Sequence, residues 1–437
     1  MNVTSSSIRL GAMDLYHPLP CPDGWTTRRL RFVTRINKAQ PIALAPADEA
    51  SFVPMAAIGE HGGIQLEQVK ALDEIGDGYT YFADGDVVVA KITPCFENGK
   101  GAFVEGLKNG IAFGTTELHV VRPAQDIDGR FLFYLSISEL FRKLGEGAMY
   151  GAGGQKRVPE LFIKDFQALL PPLHQQQKIA AFLDRKTAEI DTLIGKKRRL
   201  LDRLAEKRTA LITRAVTKGL NPDAPMKDSG IEWLGEIPAH WEIASISWLS
   251  RVFNGATPSR SRNDYWDGSC PWLSSGKVND WKITAPSAFI SQQAVAETGL
   301  VLAPSGSVVI GMVGQGRTRG LAARLEIDAY INQNMAAIVA ASPLNTAYLH
   351  YALVQSYQPI REHGRGGQRD ALNCEIVGSI RIPLPPLPEQ QKIAAQLDQQ
   401  AELERSQRRL VSEQIDYLEE YRSALITNAV TGQIKVA

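Results

Sequence analysis

The chain has 437 residues, enough for about two to four domains of ordinary size. Its 48 Lys and Arg against 47 Asp and Glu give a net charge of +1, which excludes a histone-like polycation; any basic surface must come from local segregation of charge. Hydrophobic residues make up 44% and charged residues 22%, usage that argues against disorder. The four cysteines, at positions 21, 95, 270 and 374, are scattered, so neither a zinc ribbon nor a disulfide scaffold is expected.

The first ten residues, MNVTSSSIRL, contain no apolar core, so we do not expect a signal peptide. Apolar runs in the chain fall short of the roughly 20 residues that span a bilayer. We therefore expect a cytoplasmic protein with no membrane partner.

The first globular segment, residues 15–165, alternates short β-branched or aromatic runs with Gly-rich polar loops. Residues 86–92 predict a strand and residues 129–144 a helix, so we expect one mixed α/β domain. Its loops carry side chains able to bond base edges or phosphates, although ordinary surface turns have a similar composition. These candidates are Lys91, Asn98, Lys100, Thr115, Thr116, Tyr150, Gln155, Lys156 and Arg157.

Residues 175–217 predict a long helix, because they contain no Pro and stand between Pro171-Pro172 and Gly219. At about 1.5 Å per residue, such a helix is roughly 60 Å long. A stripe of apolar residues predicts that it pairs with another helix or docks a partner. The stripe includes Ile179, Leu183, Ile190, Leu204 and Leu211.

The second globular segment, residues 229–380, repeats the mixed pattern, with a predicted strand at 307–313 and a predicted helix at 345–358. Its loops are rich in Arg, Lys, Asn, Gln and Ser, the side chains that read nucleic acids. The candidates are Arg260, Arg262, Asn263, Ser275, Lys277, Gln315, Arg317, Arg319, Asn334, Arg365, Gln368 and Arg369.

Residues 311–318, GMVGQGRT, come close to a phosphate-binding P-loop. Arg317 stands where that motif has Lys, and the residues that follow make a poor long helix. Nucleotide hydrolysis is therefore a weak alternative. We find no other catalytic motif and no metal-spaced cluster among the seven histidines, so we expect neither a catalytic residue nor a bound metal or cofactor.

Residues 389–431 predict a second long helix, whose stripe includes Ile393, Leu397, Leu403, Leu410, Tyr421 and Leu425. Residues 178–218 hold 12 Lys and Arg against five Asp and Glu, a net charge of +7. Residues 392–431 hold five against seven, a net charge of −2. Opposite charge and equal length favour an antiparallel pair; the alternative is that each helix packs on its own domain alone.

The chain contains an internal sequence repeat. Residues 171–181 and 385–395 agree at nine of 11 positions, and residues 210–217 and 424–431 at seven of eight, both 214 residues apart. This is a tandem duplication. The predicted domains are 1–168, the N-terminal tail and first globular domain; 169–220, the central helix; 221–384, the linker and second globular domain; and 385–437, the C-terminal helix.

The motifs PPLxxQQKIAAxLD and ALITxAVT, each present twice, resemble those of specificity subunits of type I restriction-modification systems. The linker 217–241 and the segments GTTELHVVRP (114–123) and YINQNMAAI (330–338) are also typical of that family. The resemblance covers the whole chain. It implies an α+β fold with two mixed α/β target recognition domains, separated by two long helices that form an antiparallel coiled coil with a pseudo-two-fold internal repeat.

The resemblance also implies a non-catalytic subunit that reads double-stranded DNA. Each recognition domain would read one half of a bipartite, asymmetric site. The helices would set the spacer and dock two methyltransferase subunits, through which restriction subunits join. S-adenosylmethionine, ATP and Mg would be bound by those partners only. The alternative binding role is a structural adaptor that joins proteins without reading DNA.

Overall fold

The computed structural model describes residues 21–38, 40, 43–151, 154–314, 316–363 and 371–436. They form two compact units. Unit 1 contains the chain up to Arg198 and again from Ser412, and unit 2 runs from Arg199 to Val411. Each long helix contributes residues to both units. Among the described residues, no helix combines the length and apolar character needed to cross a membrane.

In its described residues, unit 1 has ten strands in three sheets. A four-stranded sheet has the order β2-β9-β6-β7, a second has the order β4-β3-β8-β5, and β1 pairs with β10. The strands are β1 (Thr26–Arg29), β2 (Thr34–Ile36), β3 (Glu49–Val53), β4 (Val69–Ala71), β5 (Thr80–Ala83), β6 (Val87–Ala90), β7 (Gly101–Phe103), β8 (Ile111–Gly114), β9 (Leu118–Pro123) and β10 (Gln167–Leu170).

Where unit 1 is described, three short α-helices accompany these strands: α1 (Gly129–Ile137), α2 (Glu139–Gly147) and α3 (Glu160–Asp165). The predicted helical stretch 129–144 is divided into α1 and α2, because Ser138 interrupts it. Ser138 has an extended backbone, and its side chain accepts a hydrogen bond from the Phe141 N–H, so it ends one helix and caps the next. The predicted strand at 86–92 is confirmed as β6.

Unit 2 has a five-stranded sheet, β14-β21-β18-β19-β16, a three-stranded sheet, β17-β15-β20, and the pairs β11-β12 and β13-β22. The strands are β11 (Met226–Asp228), β12 (Glu236–Pro238), β13 (Glu242–Ser245), β14 (Ser250–Asn254), β15 (Cys270–Leu273), β16 (Lys282–Ile283), β17 (Ala288–Ile290), β18 (Val308–Gly311), β19 (Ala322–Leu325), β20 (Tyr330–Ile331), β21 (Met335–Ala340) and β22 (Arg381–Leu384).

The helices of unit 2 are short except where the long helices enter it. They are α5 (Ile246–Leu249), α6 (Gln292–Thr298), α7 (Thr346–Gln355), α8 (Tyr357–His363) and α9 (Cys374–Ser379). The long helices are α4 (Leu173–Lys218) and α10 (Leu387–Val430). Their presence, the mixed α/β units and the repeated plan confirm the predicted fold class.

The repeated Gln of the QQKIAA motif is a structural residue in both units. In unit 1, buried Gln176 donates to the carbonyls of Asp126 and Pro171 at 3.1 and 2.9 Å. Its Oε1 accepts from the N–H of Asp128, the residue that caps α1. In unit 2, buried Gln390 makes the same three bonds, to Pro343, Pro385 and the α7 cap Asn345. This amide therefore fastens each long helix to its domain.

The repeated Asp of the same motif ties each long helix to a buried tyrosine. In unit 1, Tyr134 donates to Asp184 at 2.7 Å, and Arg130 pairs with the same carboxylate at 3.2 Å. In unit 2, Tyr351 donates to Asp398 at 2.7 Å. Two bonds from Arg324 at 2.6 and 2.9 Å complete that site.

The C-terminal ends of the long helices also repeat one arrangement. Gly219, directly after α4, has a φ of +71°, and a Cβ there would meet the Trp241 ring at 3.1 Å. Gly432, after α10, has a φ of +72°, and a Cβ there would meet the Trp25 ring at 3.3 Å. Glycine provides both the left-handed conformation that ends a helix and the close approach to tryptophan.

The two long helices run antiparallel in each unit. In unit 1, Lys197 contacts Gln414 at 2.7 Å, Arg198 pairs with Glu419 at 2.9 Å, and Asp191 pairs with Arg422. In unit 2, Arg208 of α4 pairs with Glu404 of α10 at 3.6 Å. The predicted pairing of a basic with an acidic helix is therefore confirmed.

The apolar side chains between the helices are only partly those of the predicted stripe. Ile179, Leu183, Ile190, Ile393, Leu397 and Leu425 are buried, and Leu204 and Leu211 are half-buried. Leu403, Leu410 and Tyr421, predicted to pair the helices or dock a partner, do not pair the helices, because they are 53%, 53% and 57% exposed. Their docking of a partner stays a prediction. Val411 and Ile415 are buried instead. Two apolar stripes share this helix, and periodicity alone does not say which one faces the partner.

Candidate nucleic-acid interface

The polar loops of unit 1 meet at one edge of the sheet that contains β6 and β9. Strand β6 ends at Ala90, which pairs with Leu118, the first residue of β9. The loop after β6 and the loop before β9 therefore begin side by side. The segment between α2 and α3 joins them, since the Val158 N–H donates to the Lys91 carbonyl at 2.8 Å.

Most of the unit 1 candidates lie on these three loops. Thr116, Tyr150, Gln155 and Lys156 are exposed, and Tyr150 exposes 68% of its surface. Lys91 and Thr115 are half-buried at the base of the loops. Asn98 and Lys100 turn toward the neighbouring loop instead, where Asn98 bonds Glu60 at 3.0 Å and Lys100 bonds the Met55 carbonyl at 3.4 Å.

Arg157 is paired at this edge with an acid that the sequence did not indicate, although its side chain remains 42% exposed. Its guanidinium makes three hydrogen bonds to the Glu117 carboxylate, at 2.8 to 3.2 Å. The hydrogen bond from Arg157 lowers the pKa of Glu117 below its usual value, so the pair remains ionised at neutral pH. Two further exposed basic residues, Arg35 and Lys38, lie beside this edge at the end of β2. The sequence did not indicate Arg35 and Lys38, because it does not show that the end of β2 lies beside these loops.

Unit 2 gathers its loops at the corresponding edge. Gly311 ends β18 and pairs with Met335, the first residue of β21, while Asn254 ends β14 and pairs with Ala336. The Asn332 N–H donates to the Leu273 carbonyl at 3.1 Å, which brings the loop after β15 to the same place.

The charged candidates of unit 2 differ in whether they form ion pairs with neighbouring acids. Arg262 pairs with Asp264 and Glu297, and the Asp264 hydrogen bond raises the pKa of its guanidinium. Lys277 pairs with Asp280 at 2.8 Å. Arg317 is exposed, and Tyr357 fixes its loop by donating to its carbonyl at 2.8 Å.

Two placements in unit 2 were not foreseen. Arg319 is only 3% exposed, so its guanidinium is not presented at the surface, contrary to the prediction. Arg260 lies 3.6 Å from the centroid of the Trp266 ring, a cation–π contact that aligns this cation at the edge.

The remaining unit 2 candidates divide into two groups. Asn263 is exposed, whereas Ser275 and Asn334 are half-buried. The predicted candidates Gln315, Arg365, Gln368 and Arg369 lie outside the described residues.

The near P-loop does not have the structure of a nucleotide site. After Gly311 the chain passes through the loop and enters strand β19 at Ala322. A P-loop requires a helix N-terminus behind the loop, because its backbone N–H groups hold the phosphates. Within the described ranges, no cluster of His, Cys, Asp and Glu is arranged to hold a metal ion.

The chain matches the family model of the type I restriction modification DNA specificity domain twice, over residues 22–201 and 238–411. The EcoAI specificity subunit of Escherichia coli is 44% identical over 164 residues, which are 37% of this chain and 28% of that protein. The EcoEI specificity subunit of the same organism is 39% identical over 164 residues, 37% of this chain and 27% of that protein. The match thus spans under a third of either E. coli relative.

A longer match is the MjaVIII specificity subunit of Methanocaldococcus jannaschii, 22% identical over 435 residues, 96% of this chain and 95% of that protein. Two solved structures share the fold. A chain from work on assembly and conformational transition of the type I R-M system has a TM-score of 0.76 at 19% identity, covering 95% of this chain and 100% of that one. The HsdS subunit from Thermoanaerobacter tengcongensis has a TM-score of 0.57 at 19% identity, covering 96% and 99%. Since the family model covers most of the sequence, this chain belongs to the type I restriction-modification specificity subunits.

Proposed function

We propose that each unit reads one half of a bipartite, asymmetric DNA site through the loops at its sheet edge. The observation that carries this proposal is the convergence of the polar loops at corresponding sheet edges in two repeated units. Exposed Gln, Asn and Arg side chains can form paired hydrogen bonds with adenine or guanine edges, while Lys, Thr and Ser can bond phosphates.

The two edges carry different residues, which supports an asymmetric site. In unit 1 the exposed candidates include Thr116, Tyr150, Gln155 and Lys156. In unit 2 they are Arg260, Asn263 and Arg317. Two readers with unlike side chains select unlike base sequences.

The chain leaves methylation and cleavage to its partners. We propose that two methyltransferase subunits dock on the repeated motif and that restriction subunits join through them. Two identical partners require the same surface twice. The motif provides it, because Gln177, Lys178 and Ala181 are exposed in unit 1 and their identical mates Gln391, Lys392 and Ala395 are exposed in unit 2. S-adenosylmethionine, ATP and Mg belong to those partners in this proposal.

Footprinting of the complex with its methyltransferase subunits tests the reading of a split site. We expect two short protected half-sites of different sequence, with base pairs between them whose identity does not matter. One contiguous palindromic site would contradict the proposal. The docking surface is tested by the double variant Gln177→Ala, Gln391→Ala. It should weaken association with the methyltransferase subunits and leave the fold intact, since both side chains are exposed.

We also propose that the paired helices set the spacer between the half-sites. Each helix is continuous and contributes residues to both units, which supports this proposal. Adding one helical turn near Arg198, with a matching turn in α10, should lengthen the tolerated spacer. A spacer of unchanged length would assign its control to another part of the complex.

A further inference from the structure

The outward face of α4 in unit 2 is basic. The exposed residues Arg199, Arg203, Lys207, Arg214 and Lys218 follow one another at spacings of four or seven residues. At about 3.6 residues per turn, such spacings place them on one side of the helix. Ile212 and Val216 are buried and belong to the opposite side, so these cations face away from the core.

In the described part of the chain, these cations are not neutralised by ion pairs. Arg208 pairs with Glu404 across the helices, but none of the five outward cations forms an ion pair among the residues that the structure describes. Glu206 is an exposed acid at the border of this face. Five cations thus stand beside two exposed acids, Glu206 and Asp202, in a chain whose net charge is only +1.

The second copy of the helix lacks this basic face. The residues 214 positions later are Glu413, Tyr417, Tyr421, Asn428 and Gly432. Two identical partner subunits would meet a basic surface on one helix and a largely uncharged one on the other. The basic face is therefore poorly suited to a contact that both partners share, and it fits a single polyanion.

We propose that this face of α4 contacts the phosphate backbone of duplex DNA outside the bases read by unit 2. The inference rests on the proposed function, since it requires that the chain bind DNA. Residues 199–218 extend over about 29 Å at about 1.5 Å per residue, close to the roughly 34 Å of one duplex turn. Duplex DNA carries about one charge per 1.7 Å of axis, so a straight row of cations finds phosphates along its length.

The test uses the complex with methyltransferase subunits and the triple variant Arg199→Gln, Arg203→Gln, Arg214→Gln. The matched control is Lys227→Gln, Arg251→Gln, Arg381→Gln, three exposed cations of the same unit that lie outside this face. Dissociation constants are measured over a range of salt concentrations for one duplex that contains the site and one that lacks it. Gln has a helix propensity similar to that of Arg, so α4 is retained.

We expect the plot of log K against log salt concentration to become shallower by up to about 2.7 for three lost phosphate contacts, and the dissociation constant to rise on the order of tenfold. Both duplexes should be affected equally, and the methylated sequence should not change. A variant that behaves like the control overturns the proposal. Loss of methyltransferase subunits with an unchanged salt slope also overturns it and assigns the face to a protein. Failure of the proposed function is seen separately, as a wild-type complex without preference for a split site.

Discussion

The two repeats agree where the helices are fastened to their domains and differ along the outward face that follows. Gln176 and Gln390 make the same three hydrogen bonds, and Asp184 and Asp398 each accept from a tyrosine of the adjoining domain. By contrast, exposed Arg203 has Tyr417 as its repeat mate. Positions that hold the scaffold therefore keep their chemistry in both copies, and so do the exposed motif residues proposed to dock partners, whereas the basic face of α4 is present in one copy only.

The largest expected effect distinguishes the two aspartates of the scaffold. Asp398→Asn should cost about 3–5 kcal/mol, because it leaves the Arg324 guanidinium, only 9% exposed, without its counter-charge. Asp184→Asn should cost about 1 kcal/mol or less, because Arg130 is 42% exposed and keeps Glu105 as a partner. Urea unfolding of both variants measures the difference, and equal costs would show that burial does not separate the two sites.

A slightly smaller effect is expected from the fastening glutamines. Gln390→Ala removes the partner of a buried N–H and of two carbonyls, so the free energy of unfolding should fall by about 2–4 kcal/mol. Gln391→Ala, one residue later, is exposed and should change it by less than about 0.5 kcal/mol. Similar losses in the two variants would mean that the amide is not what holds the helix.

Acid should weaken unit 2 through a buried histidine. Burial first, and the nearby Arg324 next, lower the pKa of His350 from 6.5 to about 3. Below pH 6.5 the unfolded chain therefore binds a proton that the folded chain does not, and stability falls as the pH approaches 3. Between pH 7 and 5 this histidine should cost about 2 kcal/mol. His350→Asn should flatten that slope in urea titrations, whatever it costs at pH 8. An unchanged slope would assign the acid sensitivity elsewhere, for example to His61, whose pKa burial and Arg422 lower to about 4.

Two adjacent residues of α10 sharpen the comparison between the buried and the outward face. Val411→Ala should cost about 1–2 kcal/mol, since Val411 is 9% exposed between the helices. Leu410→Ala should cost less than about 0.5 kcal/mol in the isolated chain, since Leu410 is 53% exposed. Thermal or urea unfolding measures both costs. A larger cost for Leu410→Ala than for Val411→Ala would show that Leu410 lies between the helices, as the sequence predicts.

The sequence was sufficient where the pattern is long or repeated. The register of 214 residues predicted the duplication, the helical stripe predicted both long helices, and the alternation of strand-like runs with polar loops predicted the two mixed domains. The sequence was insufficient where a single side chain determines the structure. Ser138 caps a helix and so divides a helix-like run, and at Leu410 two apolar stripes could face the partner helix. Composition also did not distinguish free cations from bound ones. Arg157 pairs with Glu117, which is distant in sequence, and Arg262 pairs with Asp264, which is two residues away. Arg319 is buried.

The most direct test of the central claim, that two unlike readers share one repeated scaffold, is sequencing of methylated DNA from cells that carry the chain and its methyltransferase partner. The wild-type chain is compared with a variant whose residues 229–380 are replaced by those of a relative. We predict a split methylated site in which the exchange alters one half and leaves the other half and the spacer length unchanged. A single undivided site, or a change in both halves, would contradict the account.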